Sequence, residues 1–143
     1  MANTAPIDSA LERTHPVVEL RVRAEPGQLP VLRAVAAAIA LQQGFDLDAV
    51  ADVKLAIDEA GTRLITRAPK GATLSCRFQA MPPALRISAS APTVDGGLTA
   101  DSRTFGWHVL NALADSVEVK VDETDEGSVT TIDVSLIDGS AVL

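Results

Sequence analysis

Glu59 and Arg63 stand four residues apart in a helix-favouring stretch, acid before base. On one face of a helix that order favours an ion pair, and the pairing would occupy a carboxylate otherwise able to position a nucleophile. Cys76 lies in an alternating apolar run and reads as a buried, inert thiol. As the single cysteine it cannot form an internal disulfide, and no Cys/His cluster has zinc spacing, so no metal site is expected. His108 has no partnering Ser, Cys or metal-ligand spacing and reads as an ordinary partly buried histidine. His15 falls in a polar stretch and reads as solvated. Chemistry-bearing side chains are therefore few, and what they do depends on the elements that hold them.

Residues 1–15 are polar without periodicity and read as a flexible tail. Residues 17–24 alternate, with Val18, Leu20 and Val22 on one side and Glu19, Arg21 and Arg23 on the other, as a half-buried strand does. Glu25-Pro26-Gly27 signals a turn. Residues 29–43 are Ala-rich, with Leu29, Leu32, Val35, Ala36 and Ile39 at helical spacing. Pro30 sits in the first turn, where its missing N–H does no harm, and Gly44 is a stop. Asp46 and Asp48 can cap a second helix over 47–67, which Pro69 ends. That helix carries Val50, Val53, Ile57, Ala60 and Leu64 on one face. Leu55, Glu59 and Arg63 lie roughly opposite, the pattern of a helix held between two surfaces. Residues 72–80 and 84–91 alternate as strands around Met81-Pro82-Pro83. Residues 92–102 form a loop containing Asp95-Gly96-Gly97, 105–114 a helix, and 116–121 and 129–137 two strands joined across 123–127. The tail 139–143 has no pattern.

The order β-α-α-β-β-α-β-β predicts an α+β fold, a two-layer α/β sandwich with helices on one face of a mostly antiparallel sheet. The 143 residues, 47% of them hydrophobic, suit one domain, placed at 16–138. A net charge of −7 makes nucleic acid a poor partner, since binding it depends on neutralising phosphates. Three Phe, one Trp and no Tyr leave almost no platform for stacking bases. A basic protein partner suits the charge. No signal-peptide pattern opens the chain and no apolar run is long enough to span a bilayer, so a cytoplasmic protein without membrane contact is expected.

This order, with two of its stretches, resembles the histidine-kinase-like ATPase domain of the GHKL or Bergerat type. Histidine kinases, certain ATP-dependent chaperones and RsbW/SpoIIAB-like serine kinases share that domain. Asp52-Val-Lys-Leu-Ala-Ile-Asp-Glu-Ala-Gly-Thr-Arg-Leu-Ile65 is similar to the family's magnesium-binding helix, where a Glu precedes an Asn by four positions. Phe105-Gly-Trp-His-Val-Leu-Asn-Ala-Leu-Ala-Asp-Ser-Val-Glu-Val119 is similar to its glycine-led helix, which follows the ATP lid and runs into a strand. The resemblance spans about 17–137. Within the family it points to the actinobacterial UsfX/RsbW anti-sigma factors, which hold stress-type sigma factors.

The resemblance implies Glu59 as a candidate general base. Arg63 stands where the family keeps the Asn that ligates Mg2+, and a guanidinium offers no acceptor and cannot be deprotonated away. Ala91 falls at the place of the Asp that accepts the adenine amino group, and it has no side-chain acceptor. Asp95-Gly96-Gly97 comes four residues late, so Asp95 and Gly97 are at best a shifted remnant of that motif. In the lid region only Gly106 stands before the helix, followed by the bulky Trp107, which reads as a core or pocket-plugging residue. The constellation for phosphoryl transfer is incomplete. No cofactor is expected on this ground, ATP and Mg2+ being what an intact site would take.

In the family the sigma factor is held by the first helix and neighbouring loops, through an Arg that the antagonist also contacts. Lining up the first strand and helix places Arg33 there, flanked by Leu29 and Leu32. Helix geometry alone allows a solvated Arg33 and two core leucines. The resemblance implies an anti-sigma factor in stress-response transcription regulation, relieved by partner switching with a STAS-type anti-anti-sigma antagonist. It also implies a homodimer paired through the sheets. The alternative is an active serine/threonine protein kinase of the RsbW type that phosphorylates its antagonist with ATP. A third reading is a heterodimerising domain of a larger complex.

Overall fold

The computed structural model describes residues 14–94 and 105–138. Five strands, β1 (Val17–Arg23), β2 (Thr73–Met81), β3 (Ala84–Thr93), β4 (Ser116–Thr124) and β5 (Gly127–Ile137), form one sheet in the order β1-β2-β3-β5-β4. Every neighbouring pair is antiparallel. Helices α1 (Leu29–Gln43) and α2 (Leu47–Arg67) follow β1, and α3 (Phe105–Leu113) connects β3 to β4. This is the α+β architecture read from the sequence.

The two long helices begin and end where the sequence punctuates them. Gly44 closes α1 in the left-handed conformation at φ 94°, which a Cβ would strain. The Asp46 side chain accepts from the Ala49 N–H at 2.8 Å and caps α2. α1 and α2 pack closely because residue 61 is glycine. A Cβ there would stand 2.9 Å from Leu29 Cδ2.

Pairing register assigns each sheet face. Leu20, Cys76, Ala89, Ile132 and Val119 form one row across all five strands. They pack with Leu32, Ala36, Val53, Ile57 and Leu64 of the helices into a single core. The adjacent row, Glu19, Arg77, Ser88, Asp133 and Glu118, lies on the opposite face. β3 runs two residues past its predicted end, through Pro92. Its pairing with β2 stops at Ser90 and only β5 continues alongside, so Pro92 occupies a locally exposed edge that needs no second set of ladder bonds.

Thr14 to Pro16 belong to the described structure. The His15 carbonyl accepts from Gln79 Nε2 at 2.8 Å, fixing the approach to β1.

Candidate functional site

α2 presents Glu59 and Arg63 one turn apart, both half-buried. Their predicted ion pair is not formed among the described residues. The Arg63 guanidinium lies instead over the ring of Trp107 on α3, 5.3 Å from its centroid. A cation–π contact in a partly desolvated cleft can exceed an exposed helical ion pair, worth about 0.3–0.5 kcal/mol. α2 is thus flanked on its second face at Arg63 but not at Leu55, which is half exposed. His108, expected partly buried, is exposed, since the turn of α3 that buries Trp107 faces it outward.

The second position implied by the resemblance, residue 91, lies on β3 where it pairs with β5. Ala91 is 1% exposed, its methyl part of the core, and stands opposite Thr130. Beside it the Thr93 and Thr130 hydroxyls, both buried, share a hydrogen bond of 2.7 Å. The two therefore satisfy each other. Their signal in the sequence is the phase of β5. The inward phase of β5 carries Ser128 and Thr130 before it turns apolar at Ile132, Val134 and Leu136. Gly106 occupies the second position of α3. Asp95 and Gly97 lie outside the described residues.

On α1 the three proposed contacts separate. Leu32 is fully buried and belongs to the core, so it offers no surface to a partner. Leu29 is half-buried against α2 at Gly61. The burial of Leu32 and the packing of Leu29 have one cause: both belong to the stripe that faces the sheet and α2. Arg33, at the stripe's edge, donates from Nη1 to Asp58 Oδ1 at 2.7 Å, with both side chains about one-third exposed. The outward face of α1 is instead Val31, Ala34, Ala38 and Leu41, all exposed and all apolar. Cys76 is fully buried, and burial pushes its thiol up to about 12.

A helix pair on one face of a five-stranded antiparallel sheet, with a third helix packed against α2, defines the class. The family model of the histidine kinase-like ATPase domain matches residues 22–134, and the chain belongs to that family. It is similar to the anti-sigma-F factor RsbW of Mycobacterium tuberculosis, in strains CDC 1551 / Oshkosh and ATCC 25618 / H37Rv. Identity is 42% over 101 residues in both cases. The match takes in 71% of this chain and 60% of the length of those relatives. No helix among the described residues is long and apolar enough to cross a membrane.

Proposed function

We propose that this chain is an anti-sigma factor that sequesters a stress-type alternative sigma factor from RNA polymerase in the cytoplasm. The observation that carries the reading is the outward face of α1. Val31 is 42% and Leu41 53% exposed, and exposed Ala34 and Ala38 continue the stripe between them. Such an unbroken apolar stripe on a helix is a docking surface for a protein. Arg33 borders it, and its partly exposed pair with Asp58 contributes little to folding, so a partner carboxylate can replace Asp58 at small cost. The similarity to anti-sigma-F relatives supports the identity of the partner.

The nucleotide site is degenerate in this reading. An intact member would hold Mg2+ through an acceptor at residue 63 and adenine through an acceptor at residue 91. Here Arg63 brings a cation stacked on Trp107, and Ala91 brings a buried methyl. Neither fits a magnesium-chelated nucleotide, and the Thr93 and Thr130 hydroxyls are engaged with each other. Release of sigma then rests on competition by a STAS-type antagonist for the α1 surface, without phosphorylation to reset it. A second copy of the chain is a further proposed partner.

Co-purification with candidate sigma factors tests the reading. Val31→Asp and Leu41→Asp should each abolish capture of the cognate sigma factor while leaving thermal unfolding within about 0.5 kcal/mol of the parent, as exposed substitutions do. Retained capture in both variants would overturn the assignment of the α1 face. Low-micromolar affinity for Mg-ATP by titration calorimetry, with phosphate transfer to the antagonist, would replace it by the active kinase.

A further inference from the structure

At the end of the sheet away from residue 91, the start of α2, the end of α3 and the end of β5 enclose a cleft of about 310 Å³. Phe45, Leu113, Leu136 and Ile137 give it apolar walls, and Asp46, Asp48, Asp52 and Asp115 stand around it. Among the described residues no lysine, arginine or histidine lines it, and none of the four aspartates belongs to an ion pair. The helix accounts for two of them: Asp46 caps the Ala49 N–H, and Asp48 lies in the first turn, where a negative charge suits the dipole. Asp52 lies beyond that turn, and Asp115 comes from the connection between α3 and β4, where it accepts from the Ile137 N–H at 2.6 Å. Helix capping therefore does not explain the gathering, and two of the carboxylates are fixed in direction by backbone donors.

The mouth of the cleft is apolar. Leu47, between Asp46 and Asp48, is 79% exposed, and Ile137 is 40% exposed. A second cleft of about 350 Å³ adjoins the first at Phe45 and is lined by exposed Pro82 and Pro83. Each alone is near the lower limit for a small-molecule pocket, whereas the two together make a groove of peptide dimensions. Among the described residues no three acidic side chains are placed to hold a metal ion, so the charge suits an extended organic cation.

We propose that this groove docks a segment of a protein partner in which a lysine or arginine stands beside an apolar side chain. The cation enters among the four aspartates and its apolar neighbour covers Leu47 and Ile137. Charge complementarity selects this occupant: four carboxylates without a counter-charge repel one another, and a cation removes that repulsion. A second copy, with a net charge of −7, brings the wrong sign, and residues 139–143 carry no cation. The groove shares no residue with the α1 stripe or with residues 63 and 91, and does not depend on the anti-sigma reading.

The test titrates acetyl-Leu-Arg-Leu-Arg-Leu-amide into the isotope-labelled full chain at neutral pH, followed by amide chemical shifts. Asp48, Ala49, Asp52, Asp115 and Ile137 should shift together. Citrulline in place of both arginines, and Asp48→Asn with Asp52→Asn in the protein, should each weaken binding roughly tenfold, as loss of charge-assisted contacts does. Neither of those two side chains makes a hydrogen bond, so the double variant should keep the parent's fold and spectrum elsewhere. Serine in place of the three leucines, and Leu47→Ser, should each weaken it at least about threefold. No shift at these amides, or equal binding of the citrulline peptide, overturns the cation site. Equal binding of the serine peptide, or spermidine giving the same shifts at the same affinity, overturns the peptide groove. Self-association of the parent in sedimentation that the double variant abolishes would assign the groove to a second copy and overturn the foreign partner.

Discussion

Replacing Asp133 by Asn should stabilise the chain at neutral pH and do almost nothing in acid. Burial raises the Asp133 pKa from 3.8 to about 6, with Ser88, Lys120 and Arg86 pulling it back and Glu118 adding to the rise. These are the charged and polar groups that face it from β3 and β4, and among the described residues no helix packs on that side. A folded-state value above the unfolded one means the protonated form is the favoured one. Its stability is fully present below the unfolded value and is lost as pH climbs through about 6. A gap of about two units at 1.36 kcal/mol each is roughly 3 kcal/mol at neutral pH. Asn keeps the volume but brings an NH2 that also needs a partner, so the net gain should be about 1–3 kcal/mol. Urea unfolding of parent and variant at about pH 4 and about pH 7.5 measures it, because the difference between the two chains cancels every other titrating group. A gap that does not grow with pH, or a variant less stable than the parent at neutral pH, would refute the claim that burial of this carboxylate outweighs the pull of Ser88, Lys120 and Arg86.

Thr130→Val should cost about 1–3 kcal/mol by stranding the Thr93 hydroxyl, whereas Thr93→Val with Thr130→Val should recover most of the loss in the same urea assay. Cys76 should resist iodoacetamide in the native chain at neutral pH and react fully in denaturant, as read by mass spectrometry, because its thiol is buried and raised to about 12. Arg63→Asn combined with Ala91→Asp should lower the unfolding temperature without nucleotide, since residue 91 is buried. Millimolar Mg-ATP should restore it, by linkage, if the rest of the cleft is intact.

The helices were legible because local chemistry decides them. The Gly44 stop, the Asp46 cap and an uninterrupted 3.6-residue pattern bound α1 and α2 as the structure does. Strand ends were less so. β3 outran its predicted limit through Pro92 because only its neighbour β2 stops there, a fact of pairing rather than of propensity. The surroundings of Arg63 and Leu32 differ from expectation for a related reason. Four-residue spacing made Glu59 the nearest partner for Arg63, and nothing local announced that α3 would bring Trp107 over the guanidinium. Leu29 and Leu32 were placed on the binding face by resemblance, while the helical stripe already put them inward. Asp133 sits in the outward phase of β5, which in a period-two reading means solvent. Its burial comes from its neighbours on β3 and β4, which register alone brings together.

The residue under Arg63 is the chain's single tryptophan, and the sequence contains no tyrosine. Fluorescence excited in the near ultraviolet therefore originates at one address, the seam between α2 and α3. A guanidinium pressed on the indole makes that emission sensitive to any event that lifts or tilts α3. Any such movement can be followed in unlabelled protein, with Arg63→Ala as the reference spectrum for an uncovered ring.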